Sequence, residues 1–390
     1  MLSFRRSLIV ALSVLGLFFF FFSGHKKINP KGLLPNGDLE QQLLKVKQDT
    51  EYALKELQHS TVENIRLQEK KIDQLEEERR VLEKKLQQLR KLPPTAPLRE
   101  QLAFQFPYEM SKKFPAYIWQ TWKHDLEDPR FEAHLRDTVR SWTDKNEGFV
   151  HEVLSDDKSR TLIKHLYTNV PKVIEAYDAM PETILKADFF RYLILLAMGG
   201  TYTDVDTTAL QPVPNWIPDG VDPMKLGLII GIEADPDRPD WNDWYARRIQ
   251  FCQWTIQSKP GHPVLRDIIA RITEKTLEKK GSGELDLPPT KDRGSDIMDW
   301  TGPGVWTDTI FAYFNDPIKS GLYYKVGVQN FTGMTEPKAV SDVLVLPITS
   351  FSPGIDTMGA ESEHHPLAFV KHQFEGSWKP ESERHIGDVF

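Results

Sequence analysis

The chain has 390 residues, a formal net charge of −7 and one cysteine, Cys252. One thiol excludes an internal disulfide framework, and an acidic balance without a basic cluster in its body argues against a nucleic-acid partner. Stability must come from a hydrophobic core, for which the roughly 300 residues after Pro93 suffice.

Arg5 and Arg6 precede an uncharged apolar stretch, 8–22, that ends in a run of phenylalanines and is followed by His25, Lys26 and Lys27. At about 1.5 Å per residue this stretch falls short of a ~30 Å hydrocarbon core, which brings a cleaved signal peptide into consideration. No small-x-small site follows it, so an uncleaved signal anchor fits better. The expected topology is single-pass type II: a cytosolic tail at 1–7, a transmembrane span at 8–24 and a lumenal remainder. A short span suits the thinner membranes of the early secretory pathway, so the expected location is the Golgi membrane.

Residues 25–97 form the expected stem. Between Asp38 and Leu92 there is no Gly or Pro, and Tyr52 is the one Phe, Tyr or Trp, so a single long helix is predicted. With Leu75 at heptad position d, Ile65, Ile72 and Leu86 occupy a and Leu54, Leu82 and Leu89 occupy d, interrupted by Gln68 and Arg79. This seam predicts a coiled coil over about 54–92 and a homo- or hetero-oligomer; a lone charged spacer helix is the alternative. Pro93, Pro94 and Pro97 end it.

The body, 98–390, alternates short strands with helices. A strand is predicted over 116–119, followed by Gln120, then a helix over 131–142, a strand over 149–154 and helices over 156–165 and 171–179. Residues 186–206, KADFFRYLILLAMGGTYTDVD, are the most informative run. Asp188 and Arg191, three apart on a predicted helix, share a face. Gly199 and Gly200 end that helix, and a short strand delivers Asp204 and Asp206. Alternation along the strand points both carboxylates the same way. Two like charges in one small volume need a cation, and oxygen ligation suits Mn²⁺ or Mg²⁺ bridging a diphosphate. Beyond this run a strand is predicted over 226–232, with helices over 241–256 and 263–277. The alternation implies one α/β domain with a Rossmann-like, largely parallel sheet flanked by helices, collecting ligands at strand carboxyl ends.

Further along, 279–294 is polar and turn-rich, a predicted mobile loop. It leads into Trp300-Thr-Gly-Pro-Gly-Val-Trp-Thr-Asp308, where Gly302 and Gly304 would let backbone approach a ligand. Asp308 is a candidate on the acceptor side, and Thr301 or Thr307 a candidate helix cap. Asn330-Phe-Thr332 is an N-glycosylation sequon. Near the C-terminus stand His364, His365, His372, Gly376 and Lys379.

Three of these segments, 186–206, 300–308 and 364–379, resemble the fungal Golgi α-1,6-mannosyltransferase family, retaining glycosyltransferases of the A-type fold, and the resemblance spans roughly 114–379. It implies that Asp188 and Arg191 contact donor-sugar hydroxyls, that Trp119 and Gln120 line the nucleotide pocket, and that Gly302 and Gly304 border the donor. It further implies that His372 completes a metal shell with Asp204 and Asp206, and that Gly376 and Lys379 meet the diphosphate. Asp188, Arg191, Asp204, Asp206 and Lys379 would then be the catalytic group. The implied reaction moves mannose from GDP-mannose to a mannose-bearing N-linked glycan in α-1,6 linkage, with Mn²⁺ or Mg²⁺ and no declared covalent nucleophile. The alternatives are a subunit of an α-1,6-mannan polymerase complex, a transferase acting on a lipid acceptor, and a Golgi tether without catalysis.

Overall fold

The computed structural model describes residues 36–89, 92, 95–236, 238–243, 245–286, 293–355 and 357–376. The expected tail, span and Lys379 lie outside them, and among the described residues no helix is long and apolar enough to cross a membrane. The chain divides between Lys91 and Leu92 into two units.

The first unit is one helix of 54 residues, α1 (Asn36–Leu89). Its Leu, Lys, Glu and Gln lose little side-chain freedom when helical, and past Gly37 in the first turn no Gly or Pro interrupts them. Of the predicted seam, Leu54, Ile65, Ile72, Leu75 and Leu82 are 51–62% exposed, so within this unit the apolar stripe has nothing to pack against.

The second unit contains α2 (Leu98–Gln105), β1 (Tyr117–Trp122), α3 (Ala133–Lys145), β2 (Val150–Ser155), α4 (Asp156–Leu166), α5 (Pro171–Ala179) and α6 (Thr183–Met198). Then follow β3 (Gly200–Thr203), β4 (Thr207–Ala209), β5 (Leu228–Ala234), β6 (Gln250–Phe251), β7 (Thr255–Ser258) and α7 (Pro263–Gly281). The last elements are α8 (Arg293–Trp300), α9 (Pro303–Phe314), α10 (Pro317–Ser320), β8 (Lys338–Val340), β9 (Val343–Leu346), α11 (Ile348–Phe351) and β10 (Val370–His372). An eight-stranded sheet runs β2-β1-β3-β7-β5-β9-β8, with β6 on β5. Strands β1, β2, β3, β5 and β9 point one way, and β6, β7 and β8 the other. The sheet is therefore mixed, with the expected parallel direction dominating. A separate antiparallel ribbon pairs β4 with β10.

Helix α6 lies in the core, with Phe189, Phe190, Tyr192, Leu193, Ile194, Leu195 and Leu196 all at 0% exposure. Burying each such side chain stabilises the fold by about 1.5–3 kcal/mol. The chain leaves α6 through Gly199 and Gly200, at φ 66° and 97°. A Cβ on Gly200 would lie 2.8 Å from the Tyr117 carbonyl, so the left-handed turn and the close β1 approach both require glycine.

The helix predicted over 241–256 does not form. A 3₁₀ turn at Trp241–Asp243 gives way to β6 and β7. All four residues of β7 are buried, and it fills the slot between β3 and β5. Two open strand edges offer more backbone pairing than a local helical pattern, and tertiary context prevails over propensity.

Candidate functional site

The acidic pair sits in a turn. β3 stops at Thr203, and the segment Asp204 to Thr207 closes with the Thr207 N–H donating to the Asp204 carbonyl at 3.2 Å. The carboxylates therefore converge through turn geometry rather than through alternation along a strand, as the spacing had suggested. The same carbonyl accepts from the Thr207 hydroxyl at 2.6 Å and from Gln120 Nε2 at 3.1 Å. Asp204 N–H donates to the Trp254 carbonyl at 2.9 Å. Gln120 is held in turn: its Oε1 accepts from His151 Nε2 at 2.9 Å, and His151 Nδ1 takes the Thr143 hydroxyl at 2.9 Å. Burial pushes His151 down to about 4, so a neutral ring with its proton on Nε2 completes this chain.

β10 delivers the third group. Its antiparallel register places His372 opposite Thr207, and the following residues wrap the turn: Gln373 N–H donates to the Asp206 carbonyl at 3.0 Å and Glu375 N–H to Asp206 Oδ2 at 3.3 Å. One ligand atom each from Asp204, Asp206 and His372 lie within 4.8 Å of one another. His372 Nε2 is 3.3 Å from Asp206 Oδ2, and Nδ1 is buried without a partner. The imidazole is flanked by the rings of Trp254 and Phe374, with centroids at 4.3 and 4.1 Å.

Burial pushes the Asp204 carboxyl up, reinforced by the charge of Asp206 and opposed by Arg191. For Asp206 burial acts in the same sense, yet the charge and hydrogen bond of His372 prevail and hold it low. His372 is raised: burial alone would depress it, but Asp206, Asp204 and Glu233 outweigh that. Two carboxylates and an imidazole whose ligand atoms meet this closely can hold a divalent cation.

Arg191 Nη2 lies 3.0 Å from Asp188 Oδ1 and 3.2 Å from Asp204 Oδ1. Asp188 accepts in addition from Gln253 Nε2 at 3.3 Å and from the Thr301 hydroxyl at 2.9 Å. The Tyr202 hydroxyl donates to Asp204 Oδ1 at 2.8 Å. The side chains of Asp188 and Arg191 are 2% and 3% exposed, so in this geometry the pair stands behind Asp204 and aims it. Burial pushes Asp188 up to about 6, against the pull of Arg191.

Trp119 stands elsewhere. Its indole donates to the Gly199 carbonyl at 2.9 Å and is 6% exposed, which turns it toward the start of β3. Asp204 follows the far end, roughly 13 Å along at the usual strand rise, and the indole packs within the core. Gly302 and Gly304 also serve packing: an added Cβ would meet Met298 Cα at 2.8 Å or Asp299 Oδ1 at 2.5 Å. The α8–α9 corner needs glycine for its own closeness, and Thr301 is the residue there that reaches the site. Thr307 accepts from Phe251 N–H at 3.0 Å. Asp308 is engaged by Arg247 at 2.7 and 2.6 Å. His365 Nδ1 accepts the Leu367 N–H at 3.1 Å, which fixes a local turn. The Asn330 side chain accepts from Gly327 N–H at 2.8 Å. Gly376 has φ 59°.

Tyr202, Glu233, Gln253, Trp254 and Thr301 escaped the sequence reading. Tyr202 and Thr301 lay inside recognised motifs but read as a strand residue and a cap; Glu233, Gln253 and Trp254 carry no local pattern, because what places them is the pairing of β7 between β3 and β5.

A family described as glycosyltransferase sugar-binding region containing DXD motif matches residues 132–221. The chain is 52% identical over 300 residues to the initiation-specific alpha-1,6-mannosyltransferase of Candida albicans, covering 74% of this chain and 78% of that one. A Saccharomyces cerevisiae protein named as a glycosyltransferase, HOC1, is 47% identical across 80% of this chain and 77% of its own. The initiation-specific alpha-1,6-mannosyltransferase of Schizosaccharomyces pombe is 46% identical across 71% of this chain and 66% of its own.

Proposed function

This chain belongs to the family of the fungal α-1,6-mannosyltransferases and is a glycosyltransferase, and from that premise we propose that it transfers mannose from GDP-mannose to a mannose-bearing N-linked glycan in α-1,6 linkage. The observation that carries the site assignment is the meeting of Asp204, Asp206 and His372 within 4.8 Å. Breaking a sugar–phosphate bond leaves negative charge on the departing diphosphate and positive character on the anomeric carbon. A divalent cation bound by these three residues, Mn²⁺ or Mg²⁺, would supply the charge that the diphosphate demands.

The protein's own part is orientation. Arg191 and Tyr202 hold Asp204 Oδ1, while Gln120, Trp254 and Thr207 hold its backbone, so the carboxylate needs no rearrangement at the moment of reaction. We assign Gly376, left-handed at φ 59°, and Lys379 to the leaving diphosphate. Asp188 keeps Arg191 in register and is assigned to the donor side through it. Transfer proceeds with retention of configuration, and the setting is the lumenal face of the Golgi membrane, with residues 8–24 as anchor and Asn330 as a glycan acceptor. The exposed seam of α1 favours a second reading of the same activity, in which the protein works as a subunit of a mannan-extending complex.

The test is transfer from GDP-mannose to a defined mannosyl glycan with and without Mn²⁺. The parent should form an α-1,6 product, and Asp204→Ala should lose on the order of 10²-fold or more in turnover. A parent that transfers no mannose, or an Asp204→Ala variant that keeps normal turnover in chelator, would sink the reading.

A further inference from the structure

One carboxylate at the site has been given no role. β5 is apolar from Leu228 through Ile232, and Glu233 interrupts it at the carboxyl end, the edge where ligands of such sheets gather. Its position is irregular as well as its charge: the register between β5 and β6 shifts between Ile232 and Ala234. A bulge of this kind takes one residue out of alternation and re-aims its side chain. The aim is then fixed by hydrogen bonds. Gln250 Nε2 donates to Glu233 Oε2 at 3.0 Å, and Gln250 Oε1 accepts from Ala246 N–H at 3.0 Å, so the amide cannot turn over without losing both.

Cys252 N–H donates to the Gly231 carbonyl at 2.9 Å, two residues before the Trp254 carbonyl that accepts from Asp204 N–H, and the charge of Glu233 bears on His372 and Arg191. Burial raises its carboxyl above the ordinary range, yet the side chain stays partly open to solvent. Among the described residues no lysine or arginine forms an ion pair with it. A half-sealed carboxylate of this kind costs stability and is kept for no packing reason the fold shows. A carboxylate offers about four acceptor positions; Gln250 takes one and the Trp254 indole faces another.

We propose that Glu233 is a substrate-contacting residue of this site, whose carboxylate accepts a hydrogen bond from a hydroxyl of a hexose held beside Asp204, Asp206 and His372. The proposal rests on the glycosyltransferase reading above. The hydroxyl belongs either to the transferred sugar or to the acceptor sugar, and the two sources leave different kinetic marks.

The experiment uses the full chain in detergent, as parent, Glu233→Gln and Glu233→Ala. GDP binding is measured by calorimetry, and hydrolysis of GDP-mannose without acceptor is compared with transfer to a mannose disaccharide. GDP binding should stay within about twofold of the parent, while kcat/KM for transfer falls on the order of 10²-fold, as when a site built for a hydroxyl loses its partner. Loss of hydrolysis together with transfer assigns the contact to the donor sugar; loss of transfer alone assigns it to the acceptor. Deoxy analogues of the matching sugar should lose in the parent what they no longer lose in Glu233→Gln, the non-additivity of a shared contact. Transfer within twofold of the parent in both variants overturns the proposal. So does loss of GDP binding in Glu233→Gln, which marks a structural role; if Glu233→Ala fails to fold, Glu233→Gln decides. A parent inactive with GDP-mannose removes the mannosyl reading instead. Glu233 is then judged by whether Glu233→Gln weakens binding of other nucleoside-diphosphate hexoses relative to the free nucleotide, and equal binding overturns it.

Discussion

At Asp204 one carboxylate oxygen receives both Arg191 Nη2, at 3.2 Å, and the Tyr202 hydroxyl, at 2.8 Å. Arg191 Nη2 makes both contacts and the guanidinium lies over the Tyr202 ring, 5.1 Å from its centroid; a lysine ammonium, on a stem of different reach and without a planar face, keeps neither. Arg191→Lys should therefore lower turnover by on the order of 10–10²-fold while GDP binding with Mn²⁺ weakens less. Unchanged turnover would show that Asp204 needs no such alignment. A second residue acts far from the chemistry. Asp342 is 2% exposed and accepts from the Tyr108 and Tyr313 hydroxyls at 2.5 and 2.7 Å, with His262 Nε2 at 3.3 Å. Burial alone would raise its carboxyl, but His262 and the two tyrosines hold it well below the usual range. A depressed carboxyl adds stability above its unfolded value of about 3.9, and that stability fades as pH falls from there toward the folded value. Asp342→Asn should cost on the order of 2–4 kcal/mol at pH 7, and the gap from the parent in denaturant unfolding should narrow below about pH 4. A gap that stays constant from pH 7 to pH 3 would show that the ionised form adds nothing.

Among the elements, the short ribbon of β4 and β10 matters most, since it carries His372 to the acidic turn. Backbone hydrogen bonds at Phe369 and Gln373 bracket Lys371, which pairs with Thr208, and the antiparallel two-residue repeat makes that pair the bonded one. Lys371→Pro removes its N–H. The variant should fold, with a melting temperature lower by a few degrees, but Mn²⁺ should no longer raise that temperature, and transfer should fall as far as in His372→Ala. Mn²⁺ stabilisation equal to the parent's would mean that His372 reaches the turn without the ribbon. Elements also show what local pattern can reveal. α1, α3, α6 and α7 follow from helical periodicity, and Gly199-Gly200 marks the end of α6. The predicted helix over 241–256 failed because β7 owes its shape to β3 and β5, strands that lie elsewhere in the chain. The convergence of Asp204 and Asp206 was legible, although a turn rather than a strand produces it.

For the whole molecule, the open question is what covers the seam of α1, whose Leu54, Ile65, Ile72, Leu75 and Leu82 are more than half exposed. Deleting 36–89 should leave the rate on a small acceptor within about twofold and lower the mass seen by light scattering, because pairing of a heptad seam needs a second helix. A full chain that is monomeric in detergent, with no partner co-purifying from membranes, would make α1 a spacer. The amino-acid sequence by itself determined the long helix α1, the α/β alternation, the Asp188, Arg191, Asp204 and Asp206 set and the family to which the chain belongs, because propensity, periodicity and motif spacing are properties of chain neighbours. The tertiary structure alone decided that the Trp119 indole bonds Gly199, that a Cβ at Gly302 or Gly304 would clash, that Arg191 stands behind Asp204, that Gln253 and Thr301 hold Asp188, and that Glu233 leaves the alternation of β5. Those facts depend on strand order and on one bulge, which bring together side chains that no local stretch of sequence holds near one another.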